Sequence, residues 1–371
     1  MGKGNIDTMI AIDFFCGGGG MTRGLLDAGI QVIAGVDSNP DCRETYENNN
    51  QSTYLCCDVC QLTPKELVGQ FPQLKDNDNV MLVGCAPCQP FSLLRREEFD
   101  ENGKPIPHKS VNLLIEFGRF VKDIKPAHVL VENVPGLKGK GADVLDGFKR
   151  MLEELGYEWD EKVLYAKEYG VPQNRRRYIL IASRLFKPVI PKPTHGTKEG
   201  LQPYCTVRQT ISKYPLIKAG EKHATVSNHQ CANLSKLLLD RIQATPHDGG
   251  SRTDWPDTLV LKCHKTFKGH TDVYGRMKWD EPSPTLTVKC FSLSNGRFGH
   301  HEQDRAISLR EAAALQSFSD SYVFYGSVQE MGRQIGNAVP VLLAKAMGEY
   351  VLKEHNKVAV NTKKKQTKGK I

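Results

Sequence analysis

The stretch MIAIDFFCGGGG, residues 9 to 20, decides the fold of this chain. Its apolar first part, Met9 to Phe15, is typical of a buried strand, and the four glycines that follow predict a tight turn. Leu25 and Leu26 then favour a helix. A strand, a glycine turn and a helix in this order begin a parallel α/β sheet, whose ligands bind beyond the carboxyl ends of the strands.

The same alternation of short apolar runs and amphipathic stretches continues to about residue 189. The further strands that it predicts are residues 31–37, 54–59, 80–84, 128–131 and 178–182. A helix is expected over residues 113–124, where apolar side chains recur at helical spacing. The fold class is therefore α/β with a mostly parallel sheet. The residues expected at or just beyond the strand ends are Phe15, Asp37, Asp58, Cys88 and Glu132.

The pattern lapses after residue 189, where short segments rich in Pro, Gly, His and Lys predict an irregular, β-rich second domain. Helices are expected again at 308–318 and 339–353. The predicted domains are a catalytic domain of residues 1–189 and 325–358, a smaller domain of residues 190–324, and a disordered basic tail of residues 359–371.

Composition restricts the class of protein. A net charge of +8 favours an anionic partner such as nucleic acid, although the tail lysines supply much of the excess and a solvated tail is the simpler explanation of them. Eleven cysteines scattered through a long chain indicate reduced thiols in an intracellular protein. No apolar run approaches the roughly 18 residues of a membrane span, and the N-terminus has no signal-peptide core.

The glycine turn does not match the common nucleotide-binding patterns. Starting from Gly17, the last position of G-x-G-x-x-G is Thr22, and no phosphate-binding G-x-x-x-x-G-K-[ST] occurs. NAD and ATP are therefore disfavoured. Asp37 follows about 20 residues later at a strand end, where an acid can bind ribose hydroxyls. Together they favour S-adenosylmethionine, while a structural turn and a helix-capping aspartate remain alternatives.

Five strings occur in an order that resembles the motif series of the C5-cytosine DNA methyltransferases of bacterial restriction-modification systems. They are FFCGGGG, GCAPCQPFS, VENVPG, QNRRR and GRQIGNAVP. The resemblance covers about residues 1–189 and 305–350. It implies a Rossmann-like S-adenosylmethionine-dependent methyltransferase fold with a target-recognition domain. It also implies double-stranded DNA as the substrate, pairing with a restriction endonuclease, and a monomer in the bacterial cytoplasm.

The resemblance assigns the reaction to four residues. Cys88 would add as a thiolate to C6 of a flipped cytosine, which activates the otherwise unreactive C5. Glu132 would act near ring N3, and its pKa would have to be raised by burial for it to carry a proton. Arg175 and Arg177, which strand alternation puts on one face, would lie near the pocket, unless they bind phosphates instead.

The resemblance also assigns the cofactor site. The implied cofactor-binding residues are Phe15, Gly17, Gly19, Asp37, Asp58, Val59, Pro87 and Asn337, with no metal. Asn133 is expected to order the loop at Cys88, and residues 93–110 are expected to close over the DNA. In the middle domain, residues suited to phosphate and groove contacts are Lys262, His264, Lys265, Lys268, His270 and Arg276.

Three alternatives remain open. Cys57-x-x-Cys60 and Cys85-x-x-Cys88 have zinc-ribbon spacing, but Cys57 lies in a predicted strand whose Asp58 suits the cofactor adenine. The second pair could be a redox pair, but the prolines around Cys88 have no role in one. A nucleic-acid-binding relative without activity is disfavoured because the predicted reacting residues are all present. Methylation of tRNA by the same fold is not distinguished from methylation of DNA.

Overall fold

The computed structural model describes residues 8–87, 112–266 and 272–368 and divides the chain into two compact units. The first unit comprises Met1–Leu164, Arg176–Lys192 and Ala344–Ile371, and the second comprises Tyr165–Arg175 and Pro193–Leu343. This division departs from the predicted domain boundaries chiefly at residues 165–175 and 325–343, which belong to the second unit.

A seven-stranded sheet forms the centre of the first unit. Its strands are β1 (Ile10–Phe14), β2 (Gln31–Asp37), β3 (Thr53–Cys56), β4 (Val80–Gly84), β5 (His128–Asn133), β6 (Glu158–Tyr165) and β7 (Arg176–Ser183). The spatial order is β3-β2-β1-β4-β5-β7-β6, with parallel pairing from β3 to β5 and antiparallel pairing of β7 with β5. The strand order reverses between β1 and β4, which is where sheets of this kind bind ligands.

The buried strands agree best with the sequence prediction. β2 and β4 have the predicted bounds, because each is an apolar run between clear breakers. β6 was not predicted, since its sequence EWDEKVLY is polar and most of its residues are half-exposed. A strand at the edge of a sheet needs no continuous apolar run, so the pattern did not reveal it.

Helices follow the strands of the first unit. They are α1 (Gly20–Asp27), α2 (Arg43–Asn50), α3 (Pro64–Gln70), α4 (Leu113–Ile124) and α5 (Ala142–Glu154). α4 has the predicted bounds and packs Phe117 and Phe120 against Phe14 of β1, with ring centroids 5.4 and 4.7 Å away. Burial of three aromatic rings therefore anchors α4 to the centre of the sheet.

The second unit is irregular, as predicted, but it is not β-rich. Its described residues form isolated β-bridges and no longer strand of their own. Its helices are α6 (Val207–Ile211), α7 (Lys236–Gln243), α8 (Lys262–Thr266), α9 (Leu309–Leu315) and α10 (Val328–Asn337). The prediction of strands was wrong because Pro and Gly interrupt this part of the chain without the alternating pattern that a sheet requires.

The C-terminal helix α11 (Val341–Lys368) extends into the tail that was predicted to be disordered. Lysine is a good helix former, and no glycine or proline lies between Gly348 and Gly369, so little opposes a continuous helix. Within the first unit, His355 of α11 lies 3.0 Å from His128 and 2.9 Å from Asn79 through its ring nitrogens. No helix among the described residues is long and apolar enough to cross a membrane.

Candidate active site

The turn after β1 uses backbone conformations that few residue types adopt. Phe15, Gly17 and Gly19 have φ values of 62°, 49° and 84°, in the left-handed region. The backbone N–H groups of Phe15 and Cys16 donate to the carbonyl of Val36, at 2.7 and 3.2 Å. A Cβ atom added at Gly17 would meet nothing within 4 Å, so the turn borders open space beyond the strand ends.

Asp37 at the end of β2 holds this turn. Its Oδ2 accepts the N–H of Gly17 at 2.9 Å, and its Oδ1 accepts the N–H of Asn39 at 2.9 Å. Burial raises the pKa of Asp37, while these N–H groups act in the opposite direction. Because a carboxylate oxygen accepts more than one hydrogen bond, Asp37 can fix the turn and also receive a ligand hydroxyl.

Asp58 and Val59 lie in a turn just after β3, which ends earlier than predicted. Asp58 is exposed, its Oδ1 accepts the N–H of Cys60 at 2.9 Å, and its carbonyl accepts the N–H groups of Gln61 and Leu62. Val59 is buried. The turn therefore buries one side chain and presents a carboxylate to solvent, an arrangement that suits contacts with a polar ring.

The chain leaves β4 towards Cys88, which lies outside the described residues, as does the predicted lid of residues 93–110. Asn133 at the end of β5 donates from Nδ2 to the carbonyl of Ala86 at 3.1 Å, and its Oδ1 accepts the N–H of Val134 at 2.9 Å. Pro87 is exposed. Asn133 therefore ties the segment before Cys88 to the neighbouring strand, as predicted.

Glu132 and Arg177 form an ion pair at the carboxyl end of β5. Arg177 Nε lies 2.7 Å from Glu132 Oε1, and the exposed fractions of the two side chains are 12% and 10%. Antiparallel pairing of β5 with β7 brings them together. Glu132 lies opposite Ile179, and Arg177, two residues before Ile179, points to the same face of β7. The geometry places a hydrogen-bond donor and a carboxylate side by side, which is the combination that binds the polar edge of a heterocyclic base.

Arg175 does not share a strand face with Arg177. β7 begins at Arg176, so the alternation on which that prediction rested does not include Arg175. Arg175 belongs to the second unit, is 3% exposed, and donates to the carbonyls of Leu286 (2.9 Å) and Gly336 (3.1 Å). Its guanidinium holds backbone segments of that unit together, and a catalytic role for it stays a prediction.

Two of the five strings that resemble family motifs, QNRRR and GRQIGNAVP, are connected through Gln173 and Gln316 in the second unit. Gln173 donates to the carbonyl of Leu315 and to Gln316 Oε1, and its own oxygen accepts the N–H of Leu286 at 3.0 Å. Gln316 donates to the carbonyl of Ile335 at 2.7 Å. Asn337 is an exposed residue at the end of α10 in this unit, and its contact with a cofactor stays a prediction.

A buried ion pair supports α9. Arg305 donates from both terminal nitrogens to Glu311, each at 2.7 Å, and the exposed fractions are 0% and 2%. Burial acts to raise the pKa of Glu311, but the Arg305 guanidinium overcomes it and holds the pKa at about 2. Glu311 also accepts the N–H of Ser308, which begins the helix.

One predicted DNA-contacting residue is structural instead. Arg276 is fully buried and donates to the carbonyls of Ile242, Thr245 and His300 at 2.7 to 3.0 Å. Its guanidinium joins backbone segments that make only isolated β-bridges, so it cannot reach a groove. Of the remaining residues in that set, Lys268 and His270 lie outside the described residues.

The sequence reasoning missed Asp13, which is fully buried in β1. Its Oδ2 accepts the hydroxyl of Thr22 at 2.7 Å, and its Oδ1 has no hydrogen-bond partner among the described residues. Burial raises the pKa of Asp13 to about 7. A single charged residue inside an apolar strand was the available signal, because such a residue needs a reason to be there.

The cysteine pairs do not build a metal site in the described part of the chain. There, no group of three or more His, Cys, Asp or Glu side chains could hold a metal ion. Cys60 is exposed, Cys57 is half-buried, and Cys88 of the second pair lies outside the described residues.

A doubly wound sheet with a glycine turn at the reversal of strand order defines an α/β protein that binds its ligand beyond the strand ends. The family model for C-5 cytosine-specific DNA methylases matches residues 9–353, and the chain belongs to that family. It is therefore a DNA cytosine-5 methyltransferase.

Individual relatives agree with this assignment. The type II methylase M.HgiDII of Herpetosiphon aurantiacus is 40% identical over 92% of this chain and 94% of its own length. The type II methyltransferase M1.HphI of Haemophilus parahaemolyticus is 34% identical over 92% and 86%. A prophage-encoded protein from E. coli has a similar fold, with a TM-score of 0.68, 22% identity and coverage of 93% and 99%.

Proposed function

We propose that the protein uses S-adenosylmethionine to methylate C5 of a cytosine flipped out of a specific duplex DNA sequence. Cys88 is the nucleophile, and Glu132 and Arg177 bind the cytosine ring. The observation that carries this proposal is the Glu132–Arg177 pair, 2.7 Å apart at the strand end beside the segment that leads to Cys88. An acid and an arginine beside the segment that continues in sequence to Cys88 match the chemistry that C5 requires.

The roles follow from where charge develops. When the Cys88 thiolate bonds to C6, electron density moves through the ring towards N3, where Glu132 supplies a proton or a strong hydrogen bond. Arg177 donates to the ring O2 and holds the Glu132 carboxyl in place. After transfer of the methyl group, the C5 proton leaves and the Cys88 sulfur departs. Water is the simplest acceptor for this proton.

The residues of the first unit suit S-adenosylmethionine, which supplies the methyl group. The turn at Gly17 borders open space, Asp37 presents a carboxylate beside it, and Asp58 presents another after the adjacent strand. α1 begins at Gly20 without a side-chain cap, so polar ligand atoms can approach its first N–H groups. Two carboxylates and a glycine turn suit a cofactor that has a ribose and an adenine but no diphosphate.

We propose that the second unit recognises the DNA target sequence. We also propose that the enzyme acts together with a restriction endonuclease. The names of the relatives, type II methylases and methyltransferases, support the pairing. A flipped cytosine exposes only its own edges to the reacting residues, so neighbouring base pairs must be read through the grooves by another surface.

The substrate can be tested directly. With methyl-labelled S-adenosylmethionine, we expect label to enter duplex DNA of mixed sequence and not transfer RNA, because the family acts on DNA. The labelled base should be 5-methylcytosine on digestion and chromatography. Label in transfer RNA with none in DNA would favour the RNA-methylating alternative and contradict the proposal.

A further inference from the structure

Arg119 of α4 reaches across to the turn that carries Asp58 and Val59. Its Nη2 donates to the carbonyls of Val59 and Leu62, both at 2.9 Å. Glu116, one turn earlier on α4, accepts from Arg119 Nε at 3.1 Å and fixes the direction of the guanidinium. The Arg119 guanidinium also lies over the ring of Phe120, 4.8 Å from its centroid.

The turn is also held by two side chains, Val59 and Leu62, which are buried in the core of the first unit. β3 ends at Cys56, so residues 58–62 make no strand pairing. Within the turn, the Asp58 carbonyl accepts from Gln61 and Leu62, and the Asp58 side chain accepts from Cys60. These bonds give the turn its shape, and the buried Val59 and Leu62 side chains hold it against the core but leave the direction of its backbone carbonyls to polar contacts. The two hydrogen bonds from Arg119 connect the backbone of this turn to α4.

α4 is a rigid support for this purpose. Phe117 packs so closely on Gly84 that a Cβ atom there would lie 2.8 Å from the ring, and Gly84 ends the strand that leads to Cys88. Phe120 packs on Phe14, the last residue of the strand before the glycine turn. One helix therefore contacts the strand ends of both halves of the site and, through Arg119, the turn of Asp58.

We infer that Arg119 is a positioning residue for the cofactor, which it never touches. It holds the Asp58–Val59 turn at a fixed distance from the glycine turn, so that both ends of an adenosine can be bound at once. This inference rests on the proposed function, because it concerns the S-adenosylmethionine site. Neither the sequence pattern nor the resemblance assigns a role to this residue.

The test measures cofactor affinity and turnover separately. Arg119→Gln, whose shorter side chain does not reach the two carbonyls, should weaken the calorimetric Kd for S-adenosylmethionine by about tenfold. The kcat at saturating cofactor and the KM for DNA should change by less than about twofold, since the reacting residues are untouched. Arg119→Lys should recover part of the affinity, because the longer lysine side chain can bring its ammonium donors to these carbonyls but lacks the second contact with Glu116.

Two matched variants calibrate the result. Arg43→Gln removes an exposed arginine that contacts Glu47 and the ring of Tyr54 but no backbone carbonyl of the turn, and its cofactor Kd should equal that of the wild type. Asp37→Ala removes a proposed direct contact and should weaken binding in the same assay.

The outcomes separate the two claims. If the wild-type protein does not bind S-adenosylmethionine, the proposed function fails. If the wild type binds and Arg119→Gln binds equally well, only the inference about Arg119 fails. A variant whose kcat, cofactor affinity and thermal midpoint all fall together would show a general structural role and would also overturn the inference.

Discussion

The two units use the same pair of residue types, arginine and glutamate, in opposite ways. In the first unit, Arg177 and Glu132 lie at a strand end, make one 2.7 Å contact and keep 12% and 10% of their side-chain surfaces exposed. In the second unit, Arg305 binds Glu311 through two 2.7 Å contacts, and the exposed fractions are 0% and 2%. Arg177 and Glu132 are therefore accessible to a ligand that replaces their mutual contact, whereas Arg305 and Glu311 are not.

The difference shows that membership in a motif does not by itself define a role. Arg175 and Arg177 stand two residues apart in QNRRR, yet Arg175 donates to buried carbonyls while Arg177 pairs with Glu132. A region with little regular structure needs side chains to satisfy its backbone carbonyls, and arginine has five donors for this. Burial and partners therefore separate the supporting arginines from the one that we propose binds the cytosine.

The largest effect is expected from Arg305→Gln. Glu311 would then be a buried carboxylate without its cation, so the free energy of unfolding should fall by about 3–5 kcal/mol. Urea denaturation followed by circular dichroism measures it. Arg208→Gln is the matched control, because Arg208 also binds a carboxylate through two contacts, to Asp280, but is exposed. The control should unfold like the wild type.

Arg177→Gln should show the reverse pattern and completes this comparison. The free energy of unfolding should fall by less than in Arg305→Gln, because Glu132 loses one contact rather than two and is not fully buried, whereas kcat should fall by about 10²–10³-fold, the range found when one stabilising donor is removed from a reacting site. Equal losses of stability in Arg177→Gln and Arg305→Gln would break the distinction between the two pairs.

A smaller effect is expected from the pH dependence of stability. The pKa of Asp13 rises from 3.8 to about 7, so the folded protein keeps a proton that the unfolded chain loses, and stability falls as pH rises from about 4 to 7. The pKa of Glu311 falls from 4.5 to about 2, so its contribution is present above pH 4.5 and is lost as pH falls towards 2. The two buried acids thus act in different pH ranges and with opposite signs.

The measurement compares Asp13→Asn with the wild type at several pH values. The buried His128 and His300, whose pKa values burial lowers to about 3, oppose the Asp13 effect in both proteins and cancel in the difference. Between pH 4 and 7, the wild type should lose about 2–4 kcal/mol relative to the variant. A difference that does not vary with pH would mean that Asp13 ionises normally in the folded protein.

The sequence was most informative where structure is local. Apolar runs located β2, β4 and α4 at their observed bounds, and strand ends located Asp37 and Glu132. The second unit resisted prediction because its contacts join distant parts of the chain, as with Arg175 and Gly336, which are 161 residues apart. Arg119 was missed for the same reason, since its carbonyl partners lie 60 and 57 residues away and leave no periodic pattern.

The central claim, that the first unit carries out the reaction through Cys88, is tested most directly by covalent trapping. Duplex DNA of mixed sequence is copied with 5-fluorodeoxycytidine triphosphate, so that every cytosine, in any target sequence, is 5-fluorocytosine. This base can be attacked and methylated but cannot lose its C5 fluorine. With S-adenosylmethionine, the wild type should form an adduct that survives denaturing electrophoresis. Cys85→Ala should form it too, because burial raises the pKa of Cys85 and leaves its thiol unreactive. Cys88→Ala should form none, and an adduct with that variant would contradict the account.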